Sequence, residues 1–164
     1  MTSMIDNNGG IILGGIEKSI EINAPPEKVW EMLALDKFPE WMDMMESVEY
    51  TSEVKTHNDK YRVGATALGT PKGGPPNNCH YKITESIEYE KFTHHMWEKW
   101  LRRTLGGPVT YTLEPIDGGT KLTMVGELEM PWGILLKIVE PLILRMGRKE
   151  FEKSLNKLKS ILEK

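Results

Sequence analysis

The chain has 164 residues, enough for one domain with a substantial core, and a formal net charge of −3. That balance excludes a general nucleic-acid binder, which needs a basic surface. A single cysteine, Cys79, excludes an internal disulfide framework, and no basic residue precedes Ile11, so the N-terminus does not read as a secretory signal. Together these predict a cytoplasmic domain.

Residues 1–14 are rich in glycine and asparagine and are expected to form a flexible lead-in to a single domain over 15–164. Ile16, Ile20 and Ile22 then alternate with Glu17, Ser19 and Glu21, the pattern of a half-buried strand. Pro25-Pro26 end it and suit the first turn of a helix running through Val29, Trp30 and Leu33. A second short helix follows, with Asp36 as its cap and Pro39 in its first turn.

From Val48 onward the signal is strands and turns. Val48, Tyr50, Ser52 and Val54 alternate, Asn58-Asp59 supply a turn, and Tyr61, Val63, Ala65 and Ala67 read as the next strand. Gly73 to Asn78 is the longest loop signal, and the glycine pairs Gly9-Gly10 and Gly14-Gly15 also read as loops. Cys79, Tyr81, Ile83, Ile87 and Tyr89 share one parity, with Glu85 the exception. Phe92 to Trp100 is a further strand, broken off by Gly106-Gly107-Pro108. Val109, Tyr111 and Leu113 lead into a hairpin at Asp117-Gly118-Gly119, and Leu122, Met124, Gly126, Leu128 and Met130 return from it.

Pro131 to Lys164 read as one long helix that bends at Pro141. Its first part, Ile134 to Met146, is apolar on all sides. Its second is one-sided, with Phe151, Leu155, Leu158 and Leu162 at helical spacing. Lys137, Glu140 and Arg145 interrupt the apolar run, so no bilayer span is expected. The order (strand, two short helices, six strands, long helix) predicts an α+β domain: a seven-stranded antiparallel sheet wrapped around the C-terminal helix.

Three stretches carry a family resemblance. They are Ile20-Glu21-Ile22-Asn23-Ala24-Pro25-Pro26-Glu27-Lys28-Val29-Trp30, Phe38-Pro39-Glu40-Trp41-Met42 with Val48-Glu49, and Tyr111-Thr112-Leu113-Glu114-Pro115 with Gly118-Gly119-Thr120-Lys121-Leu122-Thr123. In this order they resemble the START-related, or SRPBCC, superfamily with the helix-grip fold, which includes polyketide cyclase/dehydrase-like proteins and lipid-transfer domains. The resemblance covers residues 15–164 and marks no particular subfamily. It implies an apolar ligand held between a curved sheet and the terminal helix.

Strand parity sorts the residues that could carry chemistry. His94 and His95 are adjacent, so on a strand they point to opposite faces and cannot share a metal; no metal-ligand spacing occurs, and no metal or cofactor is expected. Cys79 reads as a small buried side chain rather than a nucleophile. His94 shares parity with Phe92, Met96, Glu98 and Trp100, whereas Thr93, His95, Trp97 and Lys99 form the other face. Neither face is cleanly apolar, and the sequence leaves both open. Ligand-binding candidates are Trp41, Tyr61, Tyr81, His94, Met96, Trp100, Tyr111, Met124, Leu135 and Val139, an aromatic and aliphatic wall with a few polar tips. Trp41 leads them, as a residue expected at the pocket mouth whose truncation weakens binding without unfolding the domain. Trp30 and Trp132 read as helix-packing anchors.

The leading expectation is therefore a binder or carrier of a small hydrophobic molecule: a lipid, polyketide-like or aromatic compound. One alternative is a cyclase or dehydratase acting on a carbonyl compound, with His94 as acid–base group, Glu98 orienting it and Tyr81 donating to a developing oxyanion. Another is a protein-interaction module or homodimer formed through the apolar start of the final helix. Contact of that helix with an anionic membrane surface is a minor reading.

Overall fold

Alternation from Ile16 to Ile22 buries one side of the first strand, and the same logic repeated along the chain builds one sheet. The computed structural model describes residues 11–100, 103–130 and 135–164, with the side chains of 15–99, 106–129 and 138–164. The strands are β1 (Ile11–Ile22), β2 (Met45–Tyr50), β3 (Thr66–Pro71), β4 (Cys79–Ile87), β5 (Lys91–Trp100), β6 (Arg103–Ile116) and β7 (Gly119–Met130). Two short helices, α1 (Pro26–Glu31) and α2 (Phe38–Trp41), follow β1, and α3 (Leu135–Leu162) closes the chain. The seven strands form one antiparallel sheet in the order β1-β7-β6-β5-β4-β3-β2, so the first and second strands end up at opposite edges. This is the α+β helix-grip arrangement expected from the sequence.

Several local expectations are corrected. β1 begins at Ile11, so Gly14-Gly15 lie inside a strand and not in a loop; they sit where the pairing with β7 shifts register between Leu13 and Ile16. Glycine in a strand interior often marks such a bulge, because it has no side chain to pack on the sheet. Tyr61 ends a 3-10 turn, His57–Tyr61, rather than opening a strand. Asp59 makes that turn, because its carboxylate accepts from the backbone N–H groups of Lys55 and Thr56 at 2.9 and 2.8 Å. Asp36 caps nothing; it pairs with Lys60 at 2.6 Å, tying the segment before α2 to the same turn.

Gly106-Gly107-Pro108 do not end a strand but lie within β6. A Cβ on Gly106 would come within 2.0 Å of the Met96 carbonyl oxygen, and one on Gly107 within 1.9 Å of that of Glu127. The glycines are there because neighbouring backbones approach too closely for any side chain.

The long helix runs 28 residues without interruption at Pro141. Its inner side packs on β1 and β7. Gly126 of β7 receives the Phe151 ring, whose Cζ lies 2.6 Å from where a Cβ would stand, and Gly147 likewise receives Ile16. Leu155 and Leu158 are fully buried. Asp43, just after α2, accepts from Lys157 at 2.6 Å and pairs with Lys153 at 3.0 Å. These two ammonium groups draw the Asp43 carboxyl down to about 2. The α2 end of the sheet is thereby fastened to the second half of α3, over the sheet's inner face. The first half of the described helix is different: Ile138, Val139, Leu142 and Met146 are exposed. No helix among the described residues is long and apolar enough to cross a membrane.

Candidate ligand-binding site

The structure settles the parity of β5. His94 is 2 % exposed and faces the core with Phe92, while His95 and Trp97 face away, where Trp97 stacks on His80 at 5.3 Å. Cross-strand pairing places Ile83 on one side of His94 and Val109 on the other, and pairs Phe92 with Tyr111 and Tyr111 with Met124. One pleated surface therefore carries His94, Tyr81, Phe92, Tyr111 and Met124 together. Phe38 covers it from α2, its ring 5.2 Å from the imidazole, with Tyr81 at 5.4 Å, Tyr111 at 5.8 Å and Phe92 at 6.2 Å. The result is an imidazole enclosed by four aromatic rings.

The enclosure has an unusual polar balance. Five buried side-chain polar atoms among the described residues lack a hydrogen-bond partner in the protein: Asp36 Oδ1, Glu150 Oε2, both ring nitrogens of His94 and the Tyr111 hydroxyl. Three of the five belong to this one cluster. Buried polar atoms without partners are uncommon and each carries an energetic penalty, so three together set this cluster apart from the rest of the described core. Burial keeps the imidazole neutral by drawing its pKa down to about 3, with a lesser push from His95. Burial alone raises the Tyr111 phenol far above its ordinary value, and the buried Tyr81 phenol is raised as well.

The other predicted residues divide by location. Trp41 is fully buried rather than at a mouth; its indole N–H donates to the Met32 carbonyl at 2.9 Å and its ring packs against Phe38 and Tyr111. Tyr61 belongs to a neighbouring cluster, stacked on Trp30 at 5.1 Å, with its hydroxyl donating to the Glu31 carbonyl. Trp30 is thus the packing anchor expected of it. Met96 is half-buried and packs on the core, Met124 is buried, and Val139 is exposed. The Trp100 and Leu135 side chains and all of Trp132 lie outside the described residues. Glu98 sits opposite Cys79 on the half-exposed end of β5 and makes no hydrogen bond to His94, whose two nitrogens are both without partners. Cys79 is fully buried, and burial pushes its thiol up to about 11, the reverse of an activated nucleophile. Among the described residues no cluster of metal-ligating side chains forms.

Phe38 was not among the predicted site residues, although it closes the cluster; its one local signal is its place beside Pro39 in α2. A separate depression of about 620 Å³, lined by Pro26, Tyr89, Lys91 and Pro115 among others, contains none of the predicted residues.

The pattern of a family described as polyketide cyclase/dehydrase and lipid transport matches residues 15–163, nearly the whole domain. The chain belongs to this family. No curated protein matches it. Solved structures of the same fold include protein MLL2253 from Mesorhizobium loti, 17 % identical with a TM-score of 0.68, covering 92 % of this chain and 97 % of that one. The Aha1 dimer from Colwellia psychrerythraea is 18 % identical with a TM-score of 0.64, over 92 % and 96 % of the two chains. DynU16, a protein of the dynemicin biosynthetic locus, is 12 % identical with a TM-score of 0.59, over 91 % of this chain and 47 % of its own. At these identities the likeness is one of fold. Membership of the polyketide cyclase/dehydrase and lipid-transport family supports a ligand-binding or cyclase-like role.

Proposed function

We propose that this member of the family binds or carries a small hydrophobic molecule in the interior between the sheet and α3, with a polar end of the ligand at His94 and Tyr111. The observation that carries this reading is the group of three unpartnered polar atoms: the two nitrogens of His94, enclosed by Phe38, Tyr81, Phe92 and Tyr111, and the Tyr111 hydroxyl beside them. An apolar enclosure with a few polar tips is the usual makeup of a small-molecule site. Affinity would come from apolar burial at about 25 cal/mol per Å², with the polar tips fixing orientation.

Two features favour binding over the cyclase or dehydratase reading. A general acid–base group works best with a pKa near the operating pH, and burial holds His94 near 3. Among the described residues no side chain hydrogen-bonds the imidazole to orient it, so the pairing with Glu98 that catalysis would use is missing.

Native and denaturing mass spectrometry of the purified protein test this reading. The native spectrum is expected to carry a stoichiometric small-molecule adduct that disappears on unfolding and whose mass and extract place it among lipids, polyketides or aromatic compounds. A native mass equal to the bare chain, unchanged after exposure to an apolar extract of the source cells, would count against it.

A further inference from the structure

The interior of the sheet carries a more specific requirement than apolarity. A neutral imidazole always presents one N–H donor and one lone-pair acceptor, and in His94 neither has a partner. The Tyr111 hydroxyl adds a donor that is likewise unengaged, on a ring whose centre lies 5.8 Å from that of His94. The two side chains belong to one enclosure, and a single ligand group that enters it can meet both. The acceptor nitrogen needs an O–H or N–H from the ligand, which a ketone, an ether or a carboxylate lacks. A hydroxyl supplies that donor and also accepts from Tyr111.

Charge points the same way. None of the ion pairs among the described residues involves Phe38, Tyr81, Phe92, His94 or Tyr111. Among the described residues, the ionisable neighbour that acts on His94 is His95, which faces the other side of the sheet; the carboxylate of Glu98 acts on Tyr81, and Tyr111 responds to burial alone. A carboxylate placed here would be stripped of water with no cation among the described residues to receive it, a far larger penalty than an unmet neutral group.

We propose that the ligand is uncharged where it meets the sheet and places a phenolic, enolic or alcoholic hydroxyl between His94 and Tyr111. The inference rests on the binding reading above and narrows it: a hydroxyl-bearing ring compound or sterol-like alcohol fits, and a fatty acid bound by its carboxylate does not.

Three probes with nearly the same apolar body separate the possibilities: 2-naphthol, naphthalene and 2-naphthoate, titrated into the full chain at neutral pH by calorimetry. Wild-type protein is expected to bind 2-naphthol about tenfold more tightly than naphthalene, the fold-change of one well-made hydrogen bond. 2-Naphthoate is expected to bind more weakly than either. Tyr111→Phe, which keeps the ring and removes only the oxygen, is expected to close most of the gap between 2-naphthol and naphthalene, and His94→Leu the remainder. Tightest binding of 2-naphthoate, or equal binding of 2-naphthol and naphthalene, would overturn the hydroxyl assignment while leaving the hydrophobic site in place. A full 2-naphthol advantage retained in both variants would also overturn it. Failure of all three probes to bind saturably would overturn the binding reading and this inference with it.

Discussion

Trp41→Ala is expected to lower folding stability by about 3–5 kcal/mol, the range for removing a large aromatic side chain from a packed core. The indole is fully buried, donates its N–H to Met32, and touches Phe38 and Tyr111, so truncation opens a void and strands a carbonyl as well. A domain of this size has about 5–15 kcal/mol in hand, so the variant folds at room temperature but with a much reduced margin. Urea unfolding reads this as a large drop in midpoint at an unchanged slope. The outcome differs from that for a side chain lining an open mouth, the place that the resemblance to the helix-grip fold implied for Trp41. A loss below about 1 kcal/mol, typical of surface substitutions, would show that Trp41 sits in a soft, accessible wall after all.

The second large effect is a pH dependence owed to His94. In the unfolded chain its imidazole titrates near 6.5; in the folded protein burial draws it to about 3. Between those values the unfolded state takes up a proton that the folded state refuses. Stability is therefore complete above pH 6.5 and falls as pH drops towards 3, by about 1.4 kcal/mol per pH unit. From pH 7.5 to pH 5 this amounts to about 2 kcal/mol, from a single side chain. Carboxylates add their own dependence at lower pH, and His94→Leu isolates the histidine. Urea unfolding of both proteins across this window is expected to show the wild type losing about 2 kcal/mol that the variant keeps. Parallel curves for the two proteins would mean that the folded protein protonates His94 readily, and that the aromatic enclosure admits water or a counter-charge.

The order of elements was legible because each strand alternates, each turn carries its own Gly, Pro or Asn, and the final helix has a 3.6-residue period. What escaped the sequence is non-local. Gly106-Gly107 look like a break until the carbonyls of Met96 and Glu127 are seen beside them. Glu85 breaks the parity of β4 because the pairing with β5 shifts between Ile83 and Glu85, which also turns Ile87 out to solvent. The choice between the two faces of β5 was undecidable from β5 itself, since His94 and Glu98 balance His95 and Trp97. It is settled by Phe38 arriving from α2 and by Tyr81 and Tyr111 on the flanking strands. The residues that the fold gathers into one buried cluster, His94, Tyr81 and Tyr111, were visible as an aromatic wall with polar tips. Which tips are engaged was not. Trp41 and Tyr61 turned out to have backbone partners, Met32 and Glu31, that only the folded chain brings near.

Nuclear magnetic resonance of the imidazole nitrogens tests whether His94 meets the ligand. The chain has four histidines, so the ring signals are few enough to assign with His94→Leu as reference. At pH 6 His94 is expected to give the signature of a neutral ring, one protonated and one bare nitrogen. Saturation with 2-naphthol is expected to move the bare nitrogen's signal as it accepts a hydrogen bond, while His57, on an exposed turn, stays in place. Saturable binding that leaves both His94 nitrogens unmoved would put the ligand elsewhere in the fold.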